Sequence, residues 1–442
     1  GVGVSALAAN TTASGNTAVG YQASKANTTG NLNVAIGYNA LTANTVGDRN
    51  IAIGYQALQS YNPSGNEDGY NTAIGLNAMS STGTGNHNTG VGGKVLENNT
   101  TGSYNCAFGT FALDANTTAN GNSAFGYGTL TANTTGANNT ALGEQSLNAN
   151  TTASDNIAVG KNAMLANTTG SNNVAVGNYS LDANTTGAFI CAFGYGALTK
   201  NTTANNNTAF GHTTLAENTT GSENTAVGRL VLYENTTGNN NVAMGYNAMQ
   251  ANTTGVKNVA VGNYALDANT TGEQNTAVGY NALSANTSNF NTAIGEGSLS
   301  ANTTGNRNTA LGNNSGSALT TGSLNVIIGD SAGSALTTTS ENTIVGQEAL
   351  KTASSGSGNN TVVGYRAAAL NTTGNNTVAI GHYAAYTNTG VAGHIAIGKN
   401  AMYTSDGASQ SNVAIGFNAM DSATTAGDCI AIGEKALDDL TT

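Results

Sequence analysis

Short apolar runs recur along the whole chain at one spacing, and each ends in a glycine, as in Asn16-Thr17-Ala18-Val19-Gly20. The unit they head is N-T-A-V-G-Y-N-A-L-x-A-N-T-T-G-x-x. Its anchor glycines include Gly20, Gly37, Gly54, Gly143, Gly245, Gly279, Gly381 and Gly433. There are 26 anchors, and 21 of the 25 intervals between them are 17 residues long. A period this short excludes helical-hairpin repeats, which need more than thirty residues, and leucine-rich repeats, which carry several Leu per unit. The pattern predicts an all-β chain: a parallel β-solenoid or β-roll of about 26 coils, each with two short strands and two turns. It forms one continuous repeat domain, 1–442, with a loop insertion near 59–71 that holds the only proline, Pro63, and slightly irregular coils over 279–442.

The five residues ending at the anchor fit a strand, whose side chains alternate between faces. The residue just before the anchor is apolar in every unit (Val19, Ile36, Phe108, Phe193, Met244, Ile432). The one two earlier shares its face and is usually Thr, Val, Ile or Cys. Between them stands Ala in 21 of 26 units, small enough to imply close approach by another wall or chain. A second apolar site is the Ala-Leu pair, as in Ala40-Leu41 and Ala282-Leu283. The anchor glycines, and those of Asn-Thr-Thr-Gly (Gly30, Gly136, Gly255), are expected to supply positive φ in turns. The Asn that opens the strand (Asn16, Asn33, Asn50, Asn139, Asn241, Asn275) is expected to form a hydrogen-bonded ladder from coil to coil. At ~4.7–4.9 Å per coil, the stack would be a rod roughly 120 Å long.

Composition fits thin coils better than globular packing. Only 8% of residues are charged, with 59 Gly, one Pro, no Trp and a net charge of −11. Twelve Lys and Arg leave no basic surface for nucleic acid. No run approaches the ~18 apolar residues of a membrane span, and the start at Gly1 in mid-pattern suggests a fragment or processed piece. Three modest apolar side chains per coil are little to set against the ordering of 17 residues. Lateral association of identical chains, a homotrimer by preference, would bury a second surface.

Chemistry is sparse. Cys106, Cys191 and Cys429 match no metal-ligand or redox spacing and fit buried small hydrophobes. His87, His212, His382 and His394 stand far apart, and Asp438 and Asp439 fit a solvated end. No catalytic motif, metal site or cofactor is predicted, and the chain is not expected to be an enzyme. Asn-Thr-Thr occurs 15 times and satisfies the N-glycosylation rule, with Asn27, Asn133 and Asn252 as candidate acceptors. The residue after the anchor varies and is often Tyr (Tyr21, Tyr38, Tyr55, Tyr246, Tyr280), a candidate contact for a surface receptor or glycan.

The phrases NTAVG and NVAIG (Asn33–Gly37, Asn412–Gly416) resemble the head repeats of trimeric autotransporter adhesins. Asn275–Leu283, Ala301–Gly305 and Gly316–Gly333 are similar to repeat regions of tail-fibre proteins of marine bacteriophages. The resemblance covers essentially the whole chain, with a longer period than the adhesin heads. It implies left-handed parallel β-rolls assembled as trimers, at a cell or virion surface. The expected function is a structural fibre or adhesin-type rod that spaces or presents a receptor-binding tip. A self-assembling extracellular filament and an ice-binding solenoid remain alternatives.

Overall fold

A computed structural model describes all residues except 355, 357, 389–391, 406–410, 424–426 and 439–442, so Asp439 lies outside the described residues. The chain forms two compact units, Gly1–Glu223 and Asn224–Thr442. Both are parallel β-solenoids with the 17-residue repeat, about 24 turns in all, and no helix occurs among the described residues.

Each coil after the first carries one three-residue strand, where the pattern had suggested two strands per coil. In the first unit the strands run from Thr17–Val19 to Thr208–Phe210, and in the second from Thr225–Val227 to Ile430–Ile432. Neighbours pair parallel and like with like: Thr17 with Val34, Ala18 with Ala35, Val19 with Ile36. Among the described residues a second strand per coil forms only near the end, as Thr387–Asn388, Thr404–Ser405 and Ser422–Ala423, which pair with one another. Elsewhere the rest of the coil is turn, yet it is hydrogen-bonded between coils almost as regularly as the strand. Ser24 N–H donates to the Ala40 carbonyl at 2.9 Å, Thr28 N–H to Thr45 at 2.8 Å and Asn39 N–H to Tyr21 at 2.9 Å. Turns whose backbone groups bond to the coils on either side need no strand geometry to be satisfied.

That pairing holds the chain in conformations most residues avoid. The second, fourth and twelfth residues after the anchor have positive φ, as at Asn39 (56°), Leu41 (51°) and Arg49 (58°). A non-glycine residue there costs roughly 1–2 kcal/mol and persists only where its surroundings over-determine it. The anchor itself takes a φ open essentially to glycine alone: 135° at Gly20, Gly54, Gly245 and Gly279, 137° at Gly37, 133° at Gly143, 139° at Gly381 and 125° at Gly433. A Cβ on Gly20 would also strike the carbonyl oxygen of Gly37 in the next coil. The glycines of Asn-Thr-Thr-Gly are small for a different reason from the expected one. Gly30, Gly136 and Gly255 are absent from the positive-φ set, and a Cβ there would collide with an Asn side chain and the next coil's backbone.

The core reverses the face of the strand that the pattern invited. Every strand buries its middle residue and leaves the two flanking ones outward, as Thr17–Val19 and Val174–Val176 do. The strand Ala is small because it meets the opposite wall: Ala35, Ala40 and Leu41 are all fully buried. Where that wall loses its Leu, the strand grows to refill the space. Gly316 and Gly333 stand in the Leu position of two coils, and there Ile327 and Ile344 replace the strand Ala while Leu319 and Leu336 replace an Asn, all four buried. Conserved volume keeps the interior close-packed. In the insertion, Tyr61 turns inward and takes an Asn place, fully buried, and its hydroxyl is pushed up to about 12 by burial and by Glu67 and Asp48.

Candidate functional site

The polar part of the core is mostly asparagine. The strand-opening ladder contains Asn16, Asn33, Asn50, Asn139, Asn241 and Asn275, five of them fully buried or nearly so and Asn16 half-buried in the first coil. The Asn16 side-chain oxygen accepts the Asn33 backbone N–H at 2.8 Å, while its amide donates to the Gly30 carbonyl at 2.8 Å. Asn33 repeats this toward Asn50 and Gly47 (2.9 Å each), and Asn139 toward Asn156 (3.1 Å) and Ala153 (2.9 Å). Asn241 donates to Gly255 at 2.8 Å and Asn275 to Ser288 at 2.7 Å. A second ladder, seven residues after the anchor, contains Asn27, Asn133 and Asn252. Asn133 donates to the Asn116 side-chain oxygen at 3.1 Å and to Gly136 at 3.0 Å, and Asn252 does the same toward Asn235 (2.8 Å) and Gly255 (3.1 Å). The Gly30, Gly136 and Gly255 carbonyls thus each accept two amides, one per ladder.

This geometry overturns the glycosylation reading. Asn27, Asn133 and Asn252 are 0% exposed, and the amide nitrogen that would carry a sugar is committed to two acceptors. The Asn-Thr-Thr phrase has a structural cause at each place. Asn builds the inner ladder, and the first Thr bonds to the next coil, as Thr134 does to Thr151 at 3.0 Å. The second Thr is exposed. It forms an unbroken rank from Thr101 to Thr220 in the first unit and from Thr237 to Thr271 in the second.

The outward strand face is the main surface feature. None of the 25 three-residue strands places an acid, a base or an amide at either outward position. Val19, Ile36, Phe108, Phe125 and Phe210 in the first unit, and Met244, Ile294, Leu311 and Ile380 in the second, are exposed on this face. Phe108 stacks on Phe125 at 5.2 Å, and Phe193 on Phe210 at 5.5 Å. Cys106 and Cys191 sit half-buried in the neighbouring rank of the same face, not in the core as expected, and burial pushes both thiols up.

The tyrosines after the anchor are arranged in two ways. Tyr21, Tyr38 and Tyr55 form a flat stack, with ring centroids 5.0 and 5.3 Å apart and ring planes within 13°. Each inner ring face is covered by its neighbour, so Tyr38 offers a ligand only an edge. Tyr246 and Tyr280 are instead brought to Tyr264, which meets both rings almost at right angles. Tyr264 was not singled out in the sequence, although an aromatic at a place usually held by Asn or Gln is a readable departure.

His394 takes a strand-opening Asn place, and its Nδ1 accepts the Asn412 N–H at 3.2 Å. Burial lowers its pKa, which keeps that nitrogen free to accept. Among the described residues no three His, Cys, Asp or Glu side chains gather in a metal-binding group, and no helix is long and apolar enough to cross a membrane. No protein-family model and no curated protein matches the chain.

Proposed function

We propose that the chain is a structural subunit of a fibre or adhesin-type rod, in which copies associate side by side along the outward strand face to space or present a receptor-binding tip at a cell or virion surface. The single observation that supports this most is the absence of charge and amide side chains from that face in all 25 three-residue strands. A surface of this kind marks an interaction site. Its apolar ranks repeat once per coil, so the partner that matches them coil for coil is another copy with the same rise. A threefold parallel arrangement is what the resemblance implies, and it closes without leaving a free face. A structural role asks for no catalytic group, and none of the sequence's sparse acids and histidines is drawn on.

The cysteines of that face provide the test. In a parallel, in-register assembly, Cys106 of one copy faces Cys106 of the next, and Cys191 faces Cys191. Mild oxidation at alkaline pH, where the raised thiols ionise, should give covalent dimers on a non-reducing gel. Under a threefold axis one chain in three stays uncoupled. With Cys429 changed to Ser throughout, the further single Ser variants at Cys106 or Cys191 should still cross-link and the double variant should not. Failure of the wild-type chain to cross-link while a maleimide labels both thiols would refute the arrangement.

The exposed second-Thr rank favours ice binding as a second reading, because a regular row of hydroxyls and methyls can order water. Thermal hysteresis of the purified protein tests it, and its absence removes that reading.

A further inference from the structure

Three places break the regular pattern in the same way. Two residues after the anchor, where Asn or Gln is usual, stand Phe111, Tyr179 and Tyr264; three residues further on stand Asp114, Asp182 and Asp267; and the next coil puts Tyr127, Tyr195 and Tyr280 directly after its anchor. In each place the two rings meet edge to face: Phe111 and Tyr127 at 6.0 Å and 83°, Tyr179 and Tyr195 at 5.8 Å and 74°, Tyr264 and Tyr280 at 6.1 Å and 90°. The third set lines an open cleft of about 480 Å³, together with Asn281 and Ser284.

All three carboxyls are pushed up by partial burial. One oxygen of Asp182 is buried with no hydrogen-bond partner. Around Asp114 the Lys94 ammonium is already paired with Glu97. Following the tyrosine rank by one coil places Glu144, paired with Lys161, after Tyr127, and the exposed Glu296 after Tyr280. The same rank seats the chain's own cations on its rings: Arg366 lies 5.4 Å from the Tyr365 centroid and Lys399 5.7 Å from Phe417, and Arg229 lies 5.7 Å from Tyr246, the ring that packs against Tyr264 from the preceding coil.

We propose that these three aromatic–aspartate corners are binding sites for organic ammonium groups, with Tyr264, Tyr280 and Asp267 lining an open cleft. Two ring faces at right angles attract a cation through their negative quadrupoles. The aspartate supplies the counter-charge to the ammonium. A methylated or alkyl ammonium is less hydrated than a metal ion, so it gives up less on entering so shallow a cleft. The sites lie on the turn wall after the anchor, off the strand face, so the inference stands whether or not copies associate.

Titration of the full chain with choline, followed by tyrosine resonances in NMR, tests it. Saturable shifts are expected at three sites. The uncharged isostere 3,3-dimethylbutan-1-ol should bind about tenfold more weakly. D267N should remove one site and leave two, with the circular dichroism spectrum unchanged; D182N, at an independent corner, gives the same readout should D267N fold poorly. Equal binding of the neutral isostere would overturn the proposal, as would saturation by methyl glucoside in place of choline, or no shift with choline at millimolar concentration.

Discussion

Asn139 shows what a single residue carries. Its oxygen holds the Asn156 N–H and its amide holds the Ala153 carbonyl, all in the interior. Replacing it with Ala strands both backbone groups, and a buried unsatisfied group costs about 1–3 kcal/mol. Asn139→Ala should therefore lower stability by roughly 2–5 kcal/mol in denaturant titration, while Thr169→Ala, in the exposed rank, should change it by no more than about 0.5 kcal/mol. His394 does the same job with a titratable ring. Its folded pKa lies below the ordinary value, so the folded state binds fewer protons there than the unfolded chain does. Its contribution is complete above pH about 6.5 and is lost as pH falls through that value. His394→Asn restores the ladder residue, and its melting temperature should fall less than the wild type's between pH 7.5 and 5.

The strand and its anchor are where the sequence was most and least legible. The period, the parallel pairing and the need for glycine at the anchor all follow from one repeated phrase, because each coil solves the same turn. The facing of the strand did not follow. Alternation places Val19 and Thr17 together and Ala18 opposite them, but it does not say which side is inside. Large apolar residues argued for the core, yet the coil is too thin to house them, and only Ala fits beneath Leu41. The Asn-Thr-Thr turns misled for a related reason: exposed turns are the usual home of Asn, but here its amide caps backbone inside the coil. At the anchor, Gly143→Ala imposes a φ of 133° on a side chain and drives its Cβ onto the Gly160 carbonyl. Hydrogen exchange should show loss of protection in the coils on both sides. Gly433→Ala keeps the φ penalty at 125° but meets nothing within 4 Å, so its effect should be smaller and confined to its own coil.

At the scale of the whole molecule, the shortage is of charge where a solvent-facing sheet would normally carry it. Acidic residues outnumber basic ones by 23 to 12, yet none lies on the outward strand face. Keeping charge off the outward strand face of each unit makes sense if that face is covered by another copy. The measurement that bears most directly on this is the native mass by sedimentation or light scattering, for the wild type and for a variant with Phe210 and Met244 changed to Lys. Both side chains point outward, so the variant should keep the wild-type circular dichroism spectrum. The account predicts a wild-type mass about three times 43.8 kDa, falling toward 43.8 kDa in the variant. A wild-type chain that stays a stable 43.8 kDa monomer would contradict it.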